Sequence, residues 1–208
     1  MSVLSKILEY KIVAILRGMQ SKDILSIVNA LNNGGVKIVE VTLNSKDALS
    51  VIENLTHTLG DDILIGAGTV LNAADAKNAI NAGAKFLISP SIDINVIKAA
   101  KDAGLVSIPG AFTPTEILTA FTNGADVVKI FPALNSEYIK NILAPLNHIP
   151  VMPTGGINLE NIKAFNKTGA VAFGVGSSLV NNKANINEVY LQDITANARK
   201  FIEAVAPN

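Results

Sequence analysis

The sequence predicts an α/β fold, a single (β/α)8 barrel of the TIM type spanning residues 1–208. Three observations point there. A glycine followed by a short apolar run recurs about every two dozen residues: Asn33-Gly34-Gly35, Asn81-Ala82-Gly83, Asp102-Ala103-Gly104, Asn123-Gly124-Ala125 and Thr168-Gly169-Ala170. Strand-length apolar runs alternate with amphipathic stretches of helix length, the pattern of right-handed parallel β–α–β units. A length of 208 residues lies near the lower limit for eight such units and suffices for one substantial core.

The elements follow in order. A strand at 11–17 opens the chain, and the next, at 38–44, alternates apolar and polar positions. Gly60 precedes a strand at 61–68 and belongs to the glycine series, which suits helix ends because the residue past a helix often adopts a left-handed conformation. Strands follow Gly83 and Gly104; the next runs through Val127-Val128-Lys129-Ile130-Phe131-Pro132, another occupies 148–153 without a preceding glycine, and the last follows Gly169. Helices are expected around 21–33, 46–59, 72–82, 93–103, 114–122, 135–144 and 159–167, with a longer one near 188–204. No linker, charge block or low-complexity segment interrupts the series.

Composition excludes several classes. Seventeen basic residues balance seventeen acidic ones, so no global field draws in nucleic acid or an anionic membrane. Although 49% of residues are apolar, no unbroken apolar run approaches the roughly 20 residues needed to span a bilayer. The first ten residues carry charges among their apolar positions and do not read as a signal peptide. Cysteine is absent, which removes disulfides, thiolate metal sites and cysteine nucleophiles and makes a cytoplasmic location the simplest expectation. His57 and His148 fall at peripheral positions, Asp61-Asp62 precedes a strand at the end away from any chemistry, and no Asp/His cluster ends neighbouring strands. A metal is therefore not expected.

Lys129 stands in a run that otherwise reads as a strand buried on both faces. Lysine is rarely buried without a reason, and an ammonium there has little water around it; the neutral amine is a nucleophile toward carbonyls. The plain alternative is an edge-strand lysine reaching solvent, but a closed barrel has no edge. Alternation puts Val127, Lys129 and Phe131 on the inner face and Val128 and Ile130 against the helices. In the second strand Val39, Val41 and Leu43 form an apolar set, so Glu40, with Thr42 and Asn44, faces inward. A carboxylate there is costly unless paired or catalytic. An ion pair of Glu40 with Lys129 or Arg17 is the structural alternative, and it is compatible with catalysis.

Barrel active sites lie at the carboxyl ends of the strands. Arg17 ends the first strand, and its guanidinium can hold a carboxylate through two parallel hydrogen bonds, unless it is only a rim arginine in solvent. Thr69 ends Gly66-Ala67-Gly68, where the glycines either admit a ligand to the main chain or merely relieve crowding. Pro153-Thr154-Gly155-Gly156-Ile157 follows the seventh strand and Phe173-Gly174-Val175-Gly176-Ser177-Ser178 the eighth. Those two loops often bind phosphate in barrels through exposed amides, with Ser177 or Ser178 adding a hydroxyl. The residues after 180 carry no specific signal.

Taken together, Val13-Ala14-Ile15-Leu16-Arg17-Gly18, Gly34 to Leu43, Ile65 to Val70, Leu87-Ile88-Ser89-Pro90, Ile108-Pro109-Gly110, Lys129-Ile130-Phe131-Pro132, Pro153 to Gly156 and Gly174 to Ser178 resemble the class I 2-keto-3-deoxy-6-phosphogluconate (KDPG) / 4-hydroxy-2-oxoglutarate (KHG) aldolases over nearly the whole chain. The resemblance implies a Schiff-base lysine at Lys129 and a general acid/base at Glu40. It places Thr69 and Pro90 around the pyruvate moiety, Phe131 beside the lysine, and Thr154, Gly155, Gly156, Gly176 and Ser177 at the phosphate. It implies reversible cleavage of KDPG to pyruvate and glyceraldehyde 3-phosphate, with 4-hydroxy-2-oxoglutarate, giving pyruvate and glyoxylate, as a further substrate. It also implies a homotrimer, 2-keto acid and phosphorylated aldehyde as the only partners, and no metal or organic cofactor. Many members carry an arginine after the Glu-Val-Thr-Leu stretch; this chain has Asn44, and Arg17 is placed to supply the charge. That feature resembles the 2-keto-3-deoxy-6-phosphogalactonate aldolases, which share the mechanism. A phosphate-binding isomerase or epimerase would share the last two loops without needing an inward lysine. A catalytically silent sugar-phosphate barrel would form no covalent adduct.

Overall fold

The computed structural model of the chain describes residues 1–60 and 62–206. Asp61, read above as remote from the chemistry, lies outside the described residues, and its neighbour Asp62 is exposed ahead of a strand. The elements run in the order α1 (Val3–Tyr10), β1 (Ile12–Leu16), α2 (Ser21–Asn33), β2 (Ile38–Thr42), α3 (Ala48–Leu59), β3 (Leu64–Gly68), α4 (Ala73–Asn81), β4 (Phe86–Ile88) and α5 (Ile94–Asp102). They continue as β5 (Val106–Ile108), β6 (Gly110–Ala111), α6 (Pro114–Thr122), β7 (Val128–Ile130), α7 (Ser136–Leu143), β8 (Val151–Pro153), α8 (Ile162–Asn166), β9 (Phe173–Val175) and α9 (Glu188–Val205). No described helix is long and apolar enough to cross a membrane.

Every strand pairing is parallel. In place of the single eight-stranded sheet expected from the sequence there is a curled sheet of six strands, β5-β4-β3-β2-β1-β9, beside a sheet of three, β6-β7-β8. Prolines explain the division, because each removes an amide from the ladder. Pro109 splits the expected fifth strand into β5 and β6, although its carbonyl still accepts from the Lys129 amide at 2.9 Å. Pro153 ends β8, and only an isolated bridge between Thr154 and Gly174 joins that end to β9.

The helices form where the sequence places them, mostly within two residues, because their ends are chemically marked. Asn72, Asp93, Thr113, Asn135 and Asn187 each accept an orphan amide of the first turn. Thr113 and Glu116 complete a reciprocal capping box with Pro114 in the first turn. Gly35, Gly60, Gly83, Gly104, Gly124 and Gly169, the whole series read from the repeat, have φ between 55° and 99°. Helix α8 is shorter than expected: the Asn158 side chain accepts from the amides of Glu160 and Asn161, which holds the chain in a turn before the helix begins. Helix α1 is not anticipated at all. Its Ser2 cap accepts from Ser5, and Val3, Leu4 and Ile7 pack onto the inner core.

There are two hydrophobic cores. The larger lies between the sheets and the helices and includes Val39, Val41, Val128 and Ile130, as alternation requires. The smaller fills the concave side with Ile7, Val13, Ile38, Leu64, Phe86, Val106, Val127 and Met152. Many of these are first residues of strands, so apolar packing closes the amino ends and leaves the carboxyl ends for polar groups. Phe86 fits because Gly66 faces it: a Cβ there would lie 2.3 Å from the ring.

Helices α2 and α9 bring the two ends of the chain together through Gly34. A Cβ on Gly34 would lie 2.4 Å from Ala198 Cβ and 2.6 Å from the Thr195 carbonyl. Its φ of −87° suits any residue, so replacement is penalised by packing alone. Gly34→Ala is expected to lower stability by about 1–3 kcal/mol in urea unfolding, with activity at saturating substrate retained in the folded fraction.

Candidate active site

Lys129, in β7, has Gly110 and Met152 as its register partners on either side. It is 3% exposed, and its ammonium lies 5.1 Å from the Phe131 ring centroid. Phe131 stands at the mouth, 38% exposed, with its ring over Gly155, where a Cβ would come within 3.2 Å of the ring. Pro90 follows β4 and is half-buried. Its main chain leans on Gly110, whose absent Cβ leaves 2.4 Å to the Pro90 carbonyl.

Glu40 lies in β2 between Ile15 and Gly66 in register and is completely buried. Among the described residues neither carboxylate oxygen has a hydrogen-bond partner, and no ion pair joins Glu40 to Lys129 or Arg17. Lys101 and Asp126 form an ion pair at 2.6 Å. Burial pushes the Glu40 pKa above the ordinary value; the charges of Lys129 and Arg17 act against that shift without reversing it. Room for the carboxylate comes from Gly68, where a Cβ would lie 1.7 Å from Glu40 Oε1. Gly66 and Gly68 thus make space for Phe86 and Glu40, and the crowding explanation of these glycines is the one that holds.

Arg17, just past β1, is exposed and donates from Nη2 to Thr69 Oγ1 at 3.5 Å. Thr69 sits in the left-handed region, at φ 56°, an uncommon conformation for a β-branched residue.

A cavity of about 530 Å³ opens at the carboxyl ends of the strands. Of the residues singled out in the sequence, Arg17, Lys129, Phe131, Thr154, Gly155, Gly156, Gly176 and Ser177 line it. Glu40, Thr69 and Pro90 do not: Glu40 lies behind the wall, Thr69 touches Arg17, and Pro90 supports Gly110. At the end away from Lys129, Gly155 and Gly156 have φ of 92° and 75°. Among the described residues the amides of Gly156 and Ser177 donate to no protein acceptor, which suits an oxyanion. Two polar lining residues, Asn158 and Asn182, have no counterpart among the sequence candidates. Nothing in the sequence around Asn182 sets it apart from the neighbouring asparagines. His57 and His148 are exposed and remote; His148 meets Phe121 edge-on at 5.6 Å.

The family model for KDPG and KHG aldolase matches residues 3–196. The chain belongs to this family. It is therefore a carbon–carbon lyase. A probable 2-dehydro-3-deoxy-6-phosphogalactonate aldolase of Rhizobium meliloti (strain 1021) is 37% identical over 175 residues, covering 83% of this chain and 82% of the relative. A 2-dehydro-3-deoxy-phosphogluconate aldolase of Haemophilus influenzae (strain ATCC 51907 / DSM 11121 / KW20 / Rd) is 34% identical over 166 residues and 78% of each chain. A solved structure described as native KDPGal superposes with a TM-score of 0.85 at 34% identity, over 93% of both chains. Family membership agrees with the geometry, since a buried lysine facing a cavity suits lyase chemistry on a carbonyl compound.

A carboxyl whose pKa is raised by folding holds its proton more tightly folded than unfolded. Its contribution to stability is complete below the ordinary value of 4.5 and is lost as the pH rises through that value toward the raised one. Compared with Glu40→Gln, which does not ionise, the natural chain should lose stability in urea unfolding as the pH rises above 4.5. A difference that stays flat or grows would mean that the neighbouring cations outweigh burial.

Proposed function

We propose that the chain is a class I aldolase that cleaves a 2-keto-3-deoxy-6-phospho sugar acid to pyruvate and glyceraldehyde 3-phosphate through a Schiff base on Lys129. The observation that carries this reading is the buried Lys129 on the cavity wall, with Glu40, unpartnered among the described residues, behind it and the free amides of Gly156 and Ser177 at the far end. The neutral amine of Lys129 attacks the C2 ketone to give a carbinolamine, which loses water to form an iminium. The C4 hydroxyl gives up its proton, the C3–C4 bond breaks, the aldehyde leaves, and the electron pair collapses onto the iminium as an enamine. Protonation at C3 and hydrolysis of the iminium then release pyruvate. Glu40 is the proton store for these steps. Because it makes no hydrogen bond or ion pair with Lys129, a water or a substrate hydroxyl carries each proton between them.

Arg17, supported by Thr69, holds the substrate carboxylate. The amides of Gly155, Gly156, Gly176 and Ser177, with the Thr154 and Ser177 hydroxyls, hold the phosphate. Binding at these two remote ends fixes C4 in line for cleavage. Phe131 shapes the wall around the pyruvate end, and Pro90 backs it from behind Gly110. The fold reading is one domain in which β5 and β6 act as one strand and eight strands close into a barrel; the Lys129-to-Pro109 and Thr154-to-Gly174 links support closure. A cytoplasmic homotrimer without metal or organic cofactor is the accompanying expectation from family membership.

Gluconate and galactonate forms differ at C4 and give the same products. Two observations favour galactonate: Asn44-Ser45 stands where many family members carry an arginine, and the 37% identical relative bears the galactonate name. A kcat/KM at least tenfold higher for gluconate, about 1.4 kcal/mol of discrimination, would reverse that preference.

Borohydride reduction in the presence of pyruvate should leave a pyruvyl adduct on Lys129, located by peptide mass spectrometry. Lys129→Met should remain folded, form no adduct and lose turnover; activity within about tenfold of the natural chain would overturn the scheme. Glu40→Gln should slow turnover by about a hundredfold or more, and an unchanged rate would reduce Glu40 to a structural group.

A further inference from the structure

The Arg17 side chain is exposed, and its one hydrogen bond, to Thr69, is 3.5 Å long. Such a contact does little to order a long, flexible side chain. The backbone beneath it is held more firmly. The carbonyl of Arg17 accepts from Asn182 Nδ2 at 3.1 Å. The amide of Gly18, the other polar group of the same peptide unit, donates to Ser45 Oγ at 2.9 Å. Both ends of one peptide plane are thus gripped by side chains from two different loops, after β2 and after β9.

The hydroxyl directions follow from proton counting. Thr42 Oγ1 lies 3.3 Å from the Leu16 carbonyl, which can only accept, so Thr42 donates there. Thr42 and Ser45 hydroxyls are 2.9 Å apart. With the Thr42 proton committed, Ser45 donates to Thr42 and keeps a lone pair for the Gly18 amide. The chain of donors runs from Gly18 through Ser45 and Thr42 to Leu16, a closed ring around Arg17. Gly18 itself has φ 65°, and a Cβ there would lie 3.1 Å from Asn182 Nδ2, so the approach of Asn182 depends on the glycine. Asn182 also lines the cavity beside Arg17.

We infer that Ser45 and Asn182 are positioning residues for Arg17: together they fix the Arg17–Gly18 peptide plane so that the guanidinium presents its fork to the substrate carboxylate. The inference rests on the aldolase reading above and gives Ser45, of the Asn44-Ser45 stretch, a task in this chain. Neither residue touches reacting atoms in this role. Their loss should raise KM for the sugar acid and the pyruvate concentration at half-maximal borohydride trapping, while kcat and the limiting extent of trapping change little.

The test is a double-mutant cycle with Arg17→Ala. Ser45→Ala and Asn182→Ala should each raise KM about tenfold, the weight of one or two lost hydrogen bonds. Ser45→Thr, which keeps the hydroxyl, should restore the natural value. In the Arg17→Ala background the same replacements should raise KM no further. Equal increases with and without Arg17, or no increase in the single variants, would overturn the inference. Should Ser45→Ala fail to fold, Asn182→Ala, on an exposed loop, decides it. Absence of any Lys129 adduct in the natural chain would instead remove the aldolase reading itself, so the two failures are distinct.

Discussion

Holding a carboxyl group and an amine out of water on the concave side of a parallel sheet is the constraint around which this molecule is arranged. An isolated charge there is strongly disfavoured. Among the described residues Glu40 meets no donor and no ion-pair partner, and burial raises its pKa against the partly compensating charges of Lys129 and Arg17. A carboxyl that releases its proton reluctantly, near an amine that must lose one to react, is suited to passing protons through an intermediary.

The backbone makes the space for this arrangement. Gly68 gives up its side chain to the Glu40 carboxylate, Gly66 to the Phe86 ring, and Gly110 to the approach of Pro90 beside Lys129. The interior is divided along the strands. Apolar side chains and helix α1 seal the amino ends, which leaves charged and polar groups the carboxyl ends, where loops can reach them. At that end the two poles of the cavity are built differently. One offers a guanidinium on a clamped peptide; the other offers bare amides in glycine turns. An elongated acid with a carboxylate at one end and a phosphate at the other matches that polarity.

Much of this was legible in the sequence because two periodicities are strict. The period of two in β2 and β7 sends Glu40 and Lys129 inward once Val39, Val41, Val128 and Ile130 are assigned to the helices, and the burial of all six agrees. The glycine series marked helix ends because a left-handed residue is needed there, and six of those positions adopt it. The division into two sheets was not legible, since Pro109 and Pro153 sit inside runs whose hydropathy reads as continuous strand. Helix α1 was overlooked because its apolar positions gain their meaning only from the inner core they cover.

The sequence by itself determined the alternation of strands and helices, the face on which Glu40 and Lys129 emerge and the family, because these depend on local periodicity and ordered short motifs. Tertiary structure alone decided that Gly66 and Gly68 make room for Phe86 and Glu40, that the Glu40 oxygens find no hydrogen-bond partner among the described residues, and that Asn182 meets the Arg17 carbonyl. Those facts depend on distances between residues remote in the chain, and no local pattern encodes them.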